Sequence, residues 1–205
     1  MKLVALSDLH GHLPEIPTCD AVLIAGDICP NISSEEQASW LDTEFRRWLE
    51  KIKSPTFGVA GNHDFVFQEL PERVPDLPWT YLEDSESQFS GLFIYGTPWQ
   101  PIYQDNAFQI SESKLQSKWD LIPDQTDILI VHGPPRYYGD MCKSGVRVGS
   151  PTLYERIYAV NPKLVVCGHV HEDRGHWKFG KTQIYNVSLK NRHHKIEYLP
   201  TIIYL

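Results

Sequence analysis

The 205-residue chain has no apolar run long enough to cross a bilayer. A membrane span needs roughly 20 consecutive apolar residues, so no membrane association is expected. The opening MKLVALSDLHGH reaches Asp8 after only a few apolar residues. That is too short for a secretory signal, which also needs a small-residue cleavage site, and a cytoplasmic protein is predicted. Cysteine is scarce. Cys19, Cys29, Cys142 and Cys167 show no C-x-x-C spacing, which argues against a cysteine-based zinc site and predicts free thiols, with Cys167 buried on a strand. Basic residues are not in surplus either, with 19 Lys and Arg against 26 Asp and Glu. General duplex nucleic-acid binding depends on clustered cations and is not expected. Repeats, low-complexity tracts and linkers are absent, so one domain spanning 1–205 is expected.

What the chain does have is short apolar runs that end in turn chemistry: LVALSD, AVLIAGD, TFGVAGN, LFIYGTP, DILIVHGP, LVVCGH and IYNVS. Continuous Val, Ile and Leu predict strands buried on both faces. KIEYLPTIIYL adds one or two more, with Pro200 at a break. Between them lie helical patterns. Ser33 and Glu36 form a capping box ahead of Leu41, Phe45, Trp48, Leu49 and Ile52 at helical spacing. Residues 111–121 read as a second helix. A third opens with Ser150 as N-cap and Pro151 at its first position. Residues 69–79 form a proline-broken loop. Strands alternating with helices predict an α/β layered fold.

The polar residues that carry chemistry cluster where these strands stop: Asp8 and His10, Asp27, Asn62 with His63 and Asp64, His132, and His169 with His171. Each alone has a plain structural reading as a turn residue, a cap or a half-buried histidine. Together, five strand ends carry ligand-type residues, and loops beyond strand ends converge in α/β sheets. Two carboxylates, an amide oxygen and several imidazoles suit Mn, Fe, Zn or Ni better than the all-oxygen sites of Ca and Mg. They are too many for one tetrahedral ion and enough for two, with a carboxylate as bridge. His12, His176, His193 and His194 lie outside the motifs and are expected to be solvated. Strand alternation would put His169 and His171 on one side.

The blocks Asp8-Leu9-His10, Gly26-Asp27, Gly61-Asn62-His63-Asp64, His132 and Gly168-His169-Val170-His171 resemble the signature of the calcineurin-like metallophosphoesterase superfamily. HGPP and NPKLVVCGHVHEDRG are further similar to metallophosphoesterase-domain proteins of vertebrate brain and to class III cyclic nucleotide phosphodiesterases. The resemblance implies a four-layer αββα sandwich, two mixed β-sheets face to face with helices outside. It also implies that Asp8, His10 and His171 hold a first metal, Asn62, His132 and His169 a second, and Asp27 bridges them. The ions would be two divalent or trivalent transition metals, with Mn first and Fe, Zn, Ni or Mg as alternatives. His63 would act on the substrate phosphate, oriented by Asp64. Ser7 is expected to be a turn residue and not a nucleophile. Certain vertebrate relatives carry glycine where this chain has His169.

The resemblance implies in-line attack by a metal-bridging hydroxide on a small phosphodiester, with cyclic nucleotides first. Phosphomonoesterase or nuclease activity on nucleic-acid ends is the alternative, and a non-catalytic interaction module, as in the retromer subunit of this fold, is a further one. Arg136, Tyr137, Tyr138, Lys143 and Arg147 are candidate contacts to a small phosphoester or nucleotide substrate.

Overall fold

The computed structural model describes residues 1–205. Its strands are β1 (Lys2–Leu6), β2 (Ala21–Ala25), β3 (Thr56–Val59), β4 (Thr80–Tyr81), β5 (Ser85–Phe89), β6 (Leu92–Thr97), β7 (Gln100–Pro101), β8 (Gln109–Ile110), β9 (Ile128–Val131), β10 (Leu164–Cys167), β11 (Gly175–Phe179), β12 (Thr182–Asn186) and β13 (Thr201–Tyr204). The α-helices are α1 (Ser34–Trp40), α2 (Arg46–Leu49), α3 (Phe65–Glu69), α4 (Glu112–Trp119) and α5 (Pro151–Val160). One sheet has the order β13-β1-β2-β3-β4 and the other β11-β12-β10-β9-β6-β5, with a small β7-β8 pair beside them. The inner strands pair in parallel, while β13, β11 and β5 join the edges antiparallel. No helix is long and apolar enough to cross a membrane.

Side-chain alternation along the buried strands builds the layers. On β2, Ala21, Leu23 and Ala25 face the other sheet, where they meet Ile128 and Ile130 of β9 and Leu164 and Val166 of β10. Val22 and Ile24, one residue out of phase, pack instead against Leu41, Phe45, Val66 and Phe67 on the first helical side. Leu129, Val131, Val165 and Cys167 likewise face away from the sheet interface, toward Leu115, Trp119, Leu153 and Ile157 of α4 and α5. Each central strand is thus apolar on both faces, which is why these runs lack a polar residue at every second position. The result is the expected four-layer αββα sandwich.

Two helix starts follow the expected chemistry. The Ser33–Glu36 capping box is formed, and the Ser150 hydroxyl accepts from Leu153 N with Pro151 in the first turn. The first helix is not continuous. A π-helical turn at Leu41–Phe45 separates α1 from α2 and buries both its end residues. One extra residue per turn keeps Leu41, Phe45, Trp48 and Leu49 on the buried side. Only Thr201–Tyr204 of the last segment forms a strand. The cysteines are free, and Cys167 is buried on β10.

Candidate metal centre

The expected ligands all leave the C-terminal ends of parallel strands. Asp8 and His10 follow β1, Asp27 follows β2, Asn62 and His63 follow β3, His132 follows β9, and His169 and His171 follow β10. The two sheets meet here. Ser7 bridges to Ser188, Gly168 N donates to His132 O at 2.9 Å, and His169 N donates to the Asp8 carboxylate at 3.2 Å. The loops turn sharply. Asp8, His10, Asp27 and His169 all have positive φ, between 43° and 68°. Asp and His tolerate this region better than most residues, yet it costs energy, and such strain collects at functional sites.

Close approach of backbones explains two glycines of the motifs. A Cβ on Gly168 would overlap the Ser7 hydroxyl and lie 2.5 Å from Asp8 Oδ2, and one on Gly61 would overlap Asp27. Ser7 itself donates to Asp8 Oδ2 at 2.6 Å and sits in a parallel bridge to Ser188, so it is an extended residue that supports Asp8 and not the turn residue expected.

The acceptor atoms face inward. Asp8, His10 and His171 bring ligand atoms within 4.8 Å of one another, and Asp8, Asp27 and His132 do the same. Asp27 presents its two oxygens to different sides: Oδ2 lies 3.3 Å from His10 Nε2 and Oδ1 lies 3.5 Å from His132 Nε2. His132 Nδ1 donates to the Ala25 carbonyl at 2.7 Å, while its Nε2 faces Asn62 Oδ1 at 3.0 Å. The His10 ring nitrogens are buried without a hydrogen bond. The His169 ring lies edge-on to His132 at 5.2 Å. Buried acceptors that converge on one another call for a cation between them. With mixed nitrogen and oxygen donors, the residues fit transition-metal ions.

The electrostatics have the same origin. Burial works against the charge of Asp8, but His171 and His132 outweigh it and hold the carboxyl well below the usual range. Asp27 is likewise buried, and His132 and His10 hold its carboxyl well down. Burial disfavours protonated His132, yet Asp27, Asp8 and the Ala25 carbonyl together push it up to about 9. At His169, burial and then the His132 charge outweigh the pull of Asp27 and Asp8 and bring it down to about 4.

Two expectations are corrected here, and the one for His194 is extended. Asp64 does not reach the His63 ring. Its buried carboxylate accepts from Ile28 N, Cys29 N and Gly61 N at 2.7–2.9 Å, tying the loop after β2 to the loop after β3. Burial, then Asp27, pushes this carboxyl up to about 6. His63 is held by its backbone instead, its N–H donating to Asp27 Oδ1 at 2.8 Å and its carbonyl accepting from Gln37 Nε2 at 2.8 Å. Its ring lies 4.9 Å from that of His10. Strand alternation does not place His169 and His171, because β10 stops at Cys167, His169 is left-handed and His171 opens a 3-10 turn. His194, expected to be plainly solvated, is exposed but has its ring 5.0 Å from that of His171. No motif spacing signals that contact, since it depends on a turn 23 residues further on.

The segment after HGPP packs beside the centre. Asn186 Nδ2 donates to both Gly139 O and Val170 O, and Met141 N donates to Asp173. Arg136 and Arg147 both lie against the Tyr137 ring, at 5.8 and 5.6 Å, with Tyr137 exposed. Arg147 also pairs at 2.5 Å with buried Asp140, which anchors the 141–147 hairpin. Tyr138 packs on Phe179 at 5.5 Å, and Lys143 is exposed at the hairpin tip.

Comparison with known proteins fits this arrangement. Residues 1–173 match the calcineurin-like phosphoesterase family. The chain is 40% identical to UPF0046 protein T07D4.2 of Caenorhabditis elegans, over 98% of its own length and 59% of that protein's. It is 31% identical to human metallophosphoesterase domain-containing protein 1, over 92% and 66% respectively. A probable cyclic nucleotide phosphodiesterase of Synechococcus is 25% identical, over 75% of this chain and 58% of that protein. The chain thus spans about three-fifths to two-thirds of the length of these relatives. On the family match and these identities, the chain belongs to the calcineurin-like phosphoesterases, beside the metallophosphoesterase domain-containing proteins.

Proposed function

We propose that this chain is a two-metal phosphodiesterase acting on small diesters, with cyclic nucleotides first among them. The observation that carries the reading is Asp27, whose two oxygens face separate histidines, His10 on one side and His132 on the other. Asp8, His10 and His171 would hold the first ion, Asn62, His132 and His169 the second, and Asp27 would bridge. The mixed N/O set suits Mn, Fe, Zn or Ni, and the resemblance puts manganese first among them. When bound, such ions polarise the phosphate and supply a nucleophilic water at neutral pH.

The chain's own residues do the rest. His132 is locked in one tautomer by the Ala25 carbonyl, which directs Nε2 at the centre. Burial lowers the His63 pKa and so favours the uncharged ring. It therefore serves as an N–H donor to a phosphate or leaving oxygen, stabilising charge as it develops. Asp64 fixes the two loops that carry Asp27 and His63. Arg136 and Tyr137 on the neighbouring wall offer a cation and an aromatic face to a nucleotide, with Lys143 further out. Arg147 would contribute charge while staying paired to Asp140.

Diester preference rests on the resemblance to cyclic nucleotide phosphodiesterases. Purified protein loaded with Mn²⁺ and assayed on bis-p-nitrophenyl phosphate, p-nitrophenyl phosphate, cyclic nucleotides and short single strands tests it. Faster turnover of the monoester, or of strand ends, would favour the alternative.

A further inference from the structure

His194 belongs to none of the motifs, and the fold places it at the centre by a separate route. After β12 the chain runs alongside Ser7, with Ser7 N donating to Val187 O and Leu189 N donating to Ser7 O at 3.0 Å. It then doubles back. Lys190 pairs with Ile196 in an antiparallel bridge, and Asn191 Oδ1 accepts from His193 N at 2.8 Å and Lys195 N at 3.2 Å. This turn holds His194 at φ 58°. Its Nδ1 then lies 3.1 Å from His171 Nδ1, with the two rings edge-on. On its far side, His171 Nε2 lies 3.1 Å from Asp8 Oδ1, inside the Asp8–His10–His171 cluster.

An imidazole that offers one nitrogen to a metal carries its proton on the other, and that N–H needs an acceptor. Nothing else is found at hydrogen-bond distance from His171 Nδ1. We propose that His194 is the positioning residue of His171, accepting its Nδ1–H and so aiming the Nε2 lone pair into the cluster. This rests on the reading of His171 as a ligand of the first ion. The acceptor is a surface histidine where such pairs usually use a carboxylate or carbonyl. The ring is therefore held without adding a further negative charge beside Asp8 and Asp27.

The test uses metal-stripped protein titrated calorimetrically with Mn²⁺ alone. His194→Gly suits the left-handed backbone at this exposed turn. It should keep the metal stoichiometry but weaken one site by roughly 10- to 100-fold. Added imidazole should restore that site, and His194→Asn, which keeps an acceptor and tolerates positive φ, should restore part of it. His171→Ala should abolish one site outright, and imidazole should not rescue the His194→Gly loss in that background. If His171→Ala removes a site while His194→Gly binds as wild type, the positioning role is wrong and the ligand reading stands. A His194→Gly loss that neither imidazole nor His194→Asn relieves would also overturn it, as a merely structural effect. If His171→Ala leaves both sites intact, the ligand reading falls and the positioning role with it.

Discussion

His132 Nε2 and Asn62 Oδ1 face each other at 3.0 Å, and Asp27 Oδ1 lies 3.5 Å from the same nitrogen. Because His132 Nδ1 already donates to Ala25 O, all three atoms are acceptors unless a positive charge lies among them. Without a metal, a proton on Nε2 plays that part, which is why His132 is pushed up to about 9 against the cost of burial.

That proton makes the stability of metal-free protein depend on pH. A histidine raised from its unfolded value of 6.5 to about 9 contributes stability that is fully present below 6.5 and lost as pH rises through about 9. Thermal melts of chelator-treated protein should therefore show falling stability from pH 7 to 9.5. The same melts with bound Mn²⁺ should be flatter, because the ion replaces the proton. His132→Gln should remove the slope. A slope that persists in His132→Gln would assign it elsewhere.

Asp27→Asn keeps the volume and the acceptor for His63 N, but removes the charge shared between His10 and His132. Metal content should fall below two per chain. Turnover should fall by more than the roughly 10- to 100-fold that losing a supporting contact costs. Elemental analysis beside a diester assay checks both.

Gly168→Ala adds one methyl where Ser7 and Asp8 leave no room. Overpacking of this kind costs about 1–3 kcal/mol, so denaturant unfolding should shift to lower concentration. Because the methyl presses on Asp8, metal affinity should fall as well. Gly91→Ala is a useful control: its methyl meets no atom within 4 Å, although φ is 80° there. It should carry only the cost of that backbone and leave metal binding unchanged.

Asp64→Asn turns one acceptor oxygen toward the N–H groups of Ile28, Cys29 or Gly61 into a donor. Leaving buried donors unmatched costs about 1–3 kcal/mol, which at this size lowers Tm by a few degrees per kcal/mol. His63 is only partly buried, and His63→Ala should leave Tm nearly unchanged and lower kcat instead. Calorimetry and steady-state kinetics on the two variants separate a residue that ties loops from one that meets substrate. Equal Tm losses would contradict the distinction.

The ligand loops were legible because each follows an uninterrupted apolar run, as AVLIAGD does, and because the ligand types recur in order. The double-sided burial of β2, β9 and β10 was legible as strands of an α/β layered fold, while their division into two sheets came from the family resemblance. Ser85–Phe89 escaped notice because SESQF, an edge strand, has alternating exposure and little apolar content. The π-helical turn was hidden for a different reason: one extra residue leaves Leu41, Phe45 and Trp48 at spacings that an ordinary helix also allows. Asp64 stands beside His63 in sequence, yet the start of α3 turns its carboxylate toward the β2 loop. The pairing of Arg147, a candidate substrate contact, could not be foreseen because its partner, buried Asp140, has no pattern that marks it. His194 reaches His171 only through a long-range turn, and one sequence carries no trace of such a contact.

Whether these strand-end loops form one two-ion phosphodiesterase centre is tested most directly by reconstituting metal-stripped protein with Mn²⁺. Bound metal per chain is measured against the rate of bis-p-nitrophenyl phosphate hydrolysis. The predicted result is activity that rises to full value as the second equivalent binds and disappears in Asp27→Asn. Binding of fewer than two ions, or saturation with two and no hydrolysis of any phosphoester, would contradict it.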